Sequence, residues 1–249
     1  MENIASITGP LLRGVIEVEG ECAEHGKAMV YRPKFMADHP WSCPACAQIK
    51  AKEESEQRWL EERRATLHRI ACVPPKYRGA KFEATTPEQK FVRSTVKAFR
   101  DAIASKQHWA VLVLFGGVGT GKTLLASELA ESLINNLSKS VRYCTAKQMI
   151  AEIQASYSAE GKSEEGEVLR FVQYDILMLD EIDAKRDSDA ANLLLTEVIN
   201  RRYNEEKPVV VITNQSFDSL AAFVGDRVDD RLHENAYVCS FDWPSFRRR

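Results

Sequence analysis

The chain has 249 residues, a hydrophobic fraction of 44% and a formal net charge of −2, enough for one large domain or one medium domain with an appendage. That balance exerts no global pull toward nucleic acid, so any such contact must come from a local basic patch. No apolar run approaches a membrane span and no secretory signal opens the chain, so the six cysteines suit burial or metal binding in a reducing compartment. A soluble, cytoplasmic protein with no membrane partner is expected.

Residues 1–46 are short apolar pieces broken by Gly and Pro. Within them Cys22-Ala-Glu-His25 and Cys43-Pro-Ala-Cys46 form a C-x₂-H…C-x₂-C pattern. Two close pairs joined by a loop can surround one ion tetrahedrally, as in a small zinc ribbon or knuckle. Free, partly buried thiols are the alternative reading, and His39 is a competing ligand outside the paired spacing. So short a region buries little apolar surface, and a structural Zn²⁺ held by Cys22, His25, Cys43 and Cys46 would supply the missing stability. Cys72, Cys144 and Cys239 fall at a helix end and in two strands, and are expected in the core.

Residues 47–75 are charged and rich in helix formers, with opposite charges three and four apart as on an exposed helix. This helical linker stops at Val73-Pro74-Pro75. From Lys76 to Arg249, helical patterns alternate with apolar runs at Ala110–Phe115, Val141–Cys144, Ile176–Leu179, Val209–Thr213 and Tyr237–Phe241. Such alternation predicts an α/β fold, with a parallel five-stranded sheet flanked by helices.

The first of these strands runs into Gly116-Gly117-Val118-Gly119-Thr120-Gly121-Lys122-Thr123 and then a helix to Leu137. Strand, glycine-rich loop and helix together make a phosphate cradle, because backbone N–H groups and the helix N-terminus point into the loop. Lys122 would reach the β- and γ-phosphates and the Thr123 hydroxyl would join a Mg²⁺ shell. The run Ile-Leu-Met-Leu-Asp180-Glu181 ends a strand in two carboxylates, where Asp180 would hold Mg²⁺ through water and Glu181 would polarise an attacking water. The next run, Pro208-Val-Val-Val-Ile-Thr-Asn214, puts an amide beside them. In Gly225-Asp-Arg227-Val-Asp-Asp-Arg231, two arginines share a helical face, either as surface Asp–Arg pairs or as an arginine finger for a neighbour's phosphate. Arg247-Arg248-Arg249 is read as a frayed, solvated tail or a small basic patch.

With these runs in this order, residues 73–246 resemble an AAA+ ATPase, and more narrowly the DnaC/DnaI helicase loaders and the IstB ATPases that assist transposases. The resemblance implies an AAA+ P-loop NTPase core using ATP and Mg²⁺. It gives Asp180 and Glu181 the Walker B roles, Asn214 the sensor-1 role, and Arg231 the finger role with Arg227 beside it. It also implies that Pro74-Pro75-Lys76-Tyr77-Arg78…Phe82 lies near the adenine. The chain stops soon after the fifth strand, so no C-terminal lid domain is expected. A finger acting in trans implies self-association into a ring or spiral. The implied function is ATP-dependent loading of a DnaB-type hexameric replicative helicase onto single-stranded DNA, with an IstB-like ATPase that binds DNA and assists a transposase as the alternative. Residues 1–46 then resemble the zinc-containing, partner-binding module of the DnaI branch. Lys147 and Tyr157 stand where the family inserts a DNA-facing helix, although an ordinary helix with a core-facing Tyr reads equally well.

Overall fold

The computed structural model describes residues 14–105, 109–156, 161, 163–184 and 189–248. Contacts divide the chain into two units, residues 1–63 and 64–249.

In the first unit, β1 (Val15–Cys22) and β2 (Gly26–Pro33) pair antiparallel, from Val15 opposite Pro33 to Cys22 opposite Gly26. This hairpin was not foreseen, although its signal is present: Ile16, Val18, Ala28 and Val30 turn one way while Glu17, Glu19, Met29 and Tyr31 are exposed, the period of two of a half-covered strand. Gly20 has no room for a side chain, because a Cβ there would sit 2.1 Å from the Trp41 ring. The helix α1 (Pro44–Ala71) begins earlier than the charged stretch suggests and runs from the first unit into the second. Proline suits a first helical position, where its missing N–H costs nothing.

The second unit continues with α2 (Pro87–Ala104), β3 (Val111–Gly116), α3 (Lys122–Leu137), β4 (Val141–Thr145), α4 (Ala146–Ala155), α5 (Glu164–Gln173) and β5 (Ile176–Asp180). Then come α6 (Asp189–Asn204), β6 (Val209–Ile212), the short helices α7 (Ala221–Val224) and α8 (Asp226–His233), and β7 (Ala236–Phe241). Five strands form one parallel sheet in the order β4-β5-β6-β3-β7. All five expected strands are present within a residue or two of their expected bounds.

Strand alternation builds two cores. Leu112, Leu114, Met178, Ile212 and Phe241 face α2 and α3, while Val111, Val113, Leu179 and Val211 face α4, α5 and α6. The residues from Ala110 to Leu114 are all fully buried, as expected of a parallel strand covered on both faces. Cys144 and Cys239 are buried as anticipated, but Cys72 is exposed. It ends α1 in the left-handed region at φ 54°, so its side chain points out of the core and its sulfur accepts from Arg142 Nη1. Among the described residues no helix is long and apolar enough to cross a membrane.

One buried cation ties the sheet to its helices. Arg202 on α6 is fully buried, and its Nη1 donates to the carbonyls of Phe171 (2.9 Å), Val172 (3.0 Å) and Tyr174 (2.8 Å). Its Nη2 donates to Asp175 O (3.1 Å) and Pro208 O (2.7 Å). These carbonyls end α5 and lead into β5 and β6, where the helix leaves acceptors without intrahelical donors. Burial pushes the guanidinium down to about 9, which still leaves it charged at neutral pH. Because an orphaned buried acceptor costs about 1–3 kcal/mol, Arg202→Met should lose at least about 3 kcal/mol in urea unfolding. Arg202→Lys, with fewer donors and no planar fork, should fall between.

Candidate nucleotide-binding site

The site starts where β3 stops. Gly116 pairs with Phe241 of β7 and has φ 127°. A Cβ there would lie 2.7 Å from the Phe241 carbonyl oxygen, so only glycine fits the turn. Gly119 (φ 79°) and Gly121 (φ 99°) continue it, and Gly121 caps α3 in the left-handed region. Thr120 Oγ1 donates to Gly117 O at 2.7 Å and closes the loop on itself. The N-terminus of α3 thus faces a cleft of about 290 Å³ whose walls include residues 118–124, Asp180, Glu181 and Asn214.

Lys122 is buried at the base of this cleft. Its Nζ donates to Gly116 O (2.7 Å), Gly117 O (2.8 Å) and Asn214 Oδ1 (3.0 Å). Burial lowers its proton affinity, which the nearby Asp180 and Asp183 carboxylates partly restore. Thr123 Oγ1 donates to Asp180 Oδ2 at 3.2 Å, and the Tyr143 hydroxyl donates to the same oxygen. Burial and the Asp180 charge hold the Tyr143 phenol far above its ordinary range, so it remains a donor. Sequence reading did not single out Tyr143. Its signal is the parallel register, which pairs Thr145 with Asp180 and so puts Tyr143, two residues back, on the same side of the sheet.

Glu181 is exposed in the cleft wall with φ 51°. Its N–H donates to Asp180 Oδ1 at 2.8 Å, and its carbonyl accepts from Ala184 N at 2.9 Å. A non-glycine residue in that conformation carries strain on the order of 1 kcal/mol, which these two bonds offset.

The two arginines of α8 do not line the cleft of their own chain. Arg231 stacks its guanidinium on the Tyr203 ring at 4.9 Å, with Nη1 buried and without a partner among the described residues. Arg227, one turn earlier, is exposed. Residues 76 and 77 do line the cleft, and so do Phe246 and Arg247. The expectation of a frayed tail at Arg247 is therefore corrected: β7 is followed by a strap across the phosphate loop. Lys147 is exposed on α4, and Tyr157 lies outside the described residues.

In the first unit, the hairpin turn presents Cys22 and His25 to Cys43 and Cys46 at the start of α1, with all four ligand atoms within 4.8 Å of one another. His25 Nδ1 lies 3.3 Å from Cys46 Sγ and 3.7 Å from Cys22 Sγ. The His25 contact pulls the Cys22 thiol down to about 6, and the neighbouring thiols push Cys46 up to about 12. Three sulfurs and an imidazole at this separation are compatible with a tetrahedral Zn²⁺ centre. His39 is not in the cluster; its carbonyl accepts from Arg32 Nη1 at 2.6 Å.

A family model described as IstB-like ATP binding protein matches residues 38–249. The replicative helicase loader DnaC of Escherichia coli (strain K12) is 28% identical over 158 residues, and the match spans 63% of this chain and 62% of that protein. This chain therefore spans less than two thirds of that relative. The replicative helicase loader DnaC of Buchnera aphidicola subsp. Baizongia pistaciae is 25% identical over 88% of this chain and 90% of its own length. Among solved structures, the DnaC helicase loader superimposes with a TM-score of 0.60 at 21% identity, over 67% of this chain and 98% of its own. That likeness carries the fold alone. On the match over residues 38–249, the chain belongs to the family of IstB-like ATP binding proteins.

Proposed function

We propose that the chain is an ATP-dependent loader of a DnaB-type replicative helicase onto single-stranded DNA. The observation that carries its ATP dependence is the wiring of one cleft: Lys122 bonded to Asn214, and Thr123 to Asp180. A lysine whose donors are held by two loop carbonyls and an amide exchanges them for phosphate oxygens when ATP enters, which frees Asn214. The bond between Lys122 and Asn214 thereby couples the phosphate end of the cleft to β6. Thr123 Oγ1 and Asp180 Oδ2 are hard oxygen donors 3.2 Å apart, which fits Mg²⁺. When bound, that ion neutralises phosphate charge. Glu181, exposed in the cleft wall, orients the attacking water.

Arg227 and Arg231 lie outside the cleft of their own chain, so their role is in trans, and chains assemble as a ring or spiral. Arg231 must leave the Tyr203 ring to act, whereas Arg227 is already exposed. We take residues 1–46 as a zinc-bearing partner-binding module, 47–75 as a helical linker and 76–249 as the ATPase domain. The names of the DnaC relatives support the loader reading. The family model supports a second one, an IstB-like ATPase that binds DNA and assists a transposase.

Mixing the chain with ATP, a DnaB-type hexamer and circular single-stranded DNA should yield helicase on the circle, read as unwinding of an annealed strand. Failure of capture together with stimulation of a transposase on duplex DNA would establish the second reading instead. Glu181→Gln should keep ATP binding and lower turnover by about 10²–10⁴-fold, the usual range for a positioned acid–base group. Elemental analysis should return a single zinc per chain. Stripping it with a chelator should raise hydrogen exchange across residues 15–33 and leave ATP affinity unchanged, because metal binding and local folding are one equilibrium in so small a unit.

A further inference from the structure

After Phe241 the chain turns back over the phosphate loop. Trp243 Nε1 donates to Thr120 O at 2.9 Å, and the Phe246 N–H donates to Gly119 O at 2.9 Å. A Cβ on Gly119 would lie 2.2 Å from Ser245 Oγ, and one on Gly121 would lie 3.3 Å from the Phe246 ring. The Phe82 ring packs on both Trp243 (6.1 Å) and Phe246 (6.3 Å). The strap is therefore fastened to the loop by two hydrogen bonds and an aromatic cluster, and the loop glycines leave space for the strap as well as for phosphate.

The strap carries Arg247 into the cleft wall. Its Nη2 lies 3.4 Å from the Tyr77 hydroxyl, a long and weak contact, and the side chain is otherwise exposed. Its charge is near enough to Lys122 to depress that ammonium group further. Among the described residues lining the cleft, Arg247 is the arginine. A guanidinium that is exposed, loosely tethered and aimed into a cleft that already holds a lysine has one chemical partner that suits it: a multiply charged anion.

We propose that Arg247 is a nucleotide-contacting residue supplied in cis, whose guanidinium leaves the Tyr77 hydroxyl to donate to the phosphate oxygens of bound ATP. This rests on the reading of the cleft as an ATP site. Because the strap is bonded to Gly119 and Thr120, the arginine is positioned by the same loop that cradles the phosphates, and chain and ligand share a single phosphate grip. Arg247 differs in kind from Arg227 and Arg231, since it serves its own chain.

Calorimetric titration of the full chain with ATP, and separately with adenosine, tests this in the wild type and in Arg247→Ala, Arg247→Lys and Lys122→Ala. Loss of a charge-assisted contact should weaken ATP binding by Arg247→Ala on the order of 10- to 100-fold, with adenosine affinity unchanged. Arg247→Lys should fall between, and added salt should narrow the gap to wild type. If Lys122→Ala loses ATP but Arg247→Ala binds it as the wild type does, the proposal is wrong and the ATP site stands. If neither variant changes ATP affinity, the ATP site itself is misplaced and the proposal falls with it. Equal weakening of ATP and adenosine would make Arg247 a support for the strap alone and would also overturn it.

Discussion

Everything at the site depends on how β3 ends. It lies between β6 and β7, buried on both faces, and at Gly116 the Phe241 backbone comes too close for any Cβ. The chain must turn sharply there, and the next element to form is α3, with its N-terminus aimed at the carboxyl edge of the sheet. A parallel sheet brings the ends of all its strands to that one edge. Hence Asp180 at the end of β5 with Glu181 beyond it, Asn214 after β6 and the strap after β7 all meet the phosphate loop. A single steric constraint at one glycine fixes the meeting point of four separate chain segments.

Electrostatics then decides how that point behaves. Lys122 is buried, which disfavours its charge, yet it has three oxygen partners and two carboxylates that favour it. The lysine's donors are thus met by protein oxygens, and on the proposed reading a polyphosphate would compete for them. Such competition would release Asn214 from Lys122, and a group held in one state and released in the other is what a switch requires. The carboxylate side is arranged likewise: Asp180 is held by Thr123, Tyr143 and the Glu181 N–H, while Glu181 itself remains exposed. One carboxylate is fixed and the other is left available for water.

Much of this was legible in the sequence because it is written in local patterns. Apolar runs of four to six residues gave the five strands, and the glycine spacing gave the loop. The Asp180-Glu181 pair and Asn214 stood at strand ends, where a parallel fold gathers its ligands. What escaped notice depends on long-range packing. Arg247 reads as a tail residue until Trp243 and Phe246 are seen bonded to residues more than a hundred positions away. Tyr143 reads as a strand aromatic until register places it beside Asp180. The stacking of Arg231 on Tyr203 joins α8 to α6, and no spacing rule encodes it. The N-terminal hairpin is the exception, since its alternation was local and was obscured by the Gly and Pro around it.

In the proposed account, the α8 arginines separate a nucleotide-binding protein from an assembly-dependent ATPase. The cleft contains a loop, a lysine, a metal-suited pair and a carboxylate, but its own chain places Arg227 and Arg231 elsewhere. Hydrolysis shared between chains is tested most directly by mixing two inactive variants, Glu181→Gln and the double substitution Arg227→Ala/Arg231→Ala. In a mixed assembly, a site with intact Glu181 can face a neighbour with intact arginines, so ATP turnover should reappear on mixing. Turnover that stays absent in the mixture, or that persists in the double variant alone, would contradict an active site completed by a second copy of the chain.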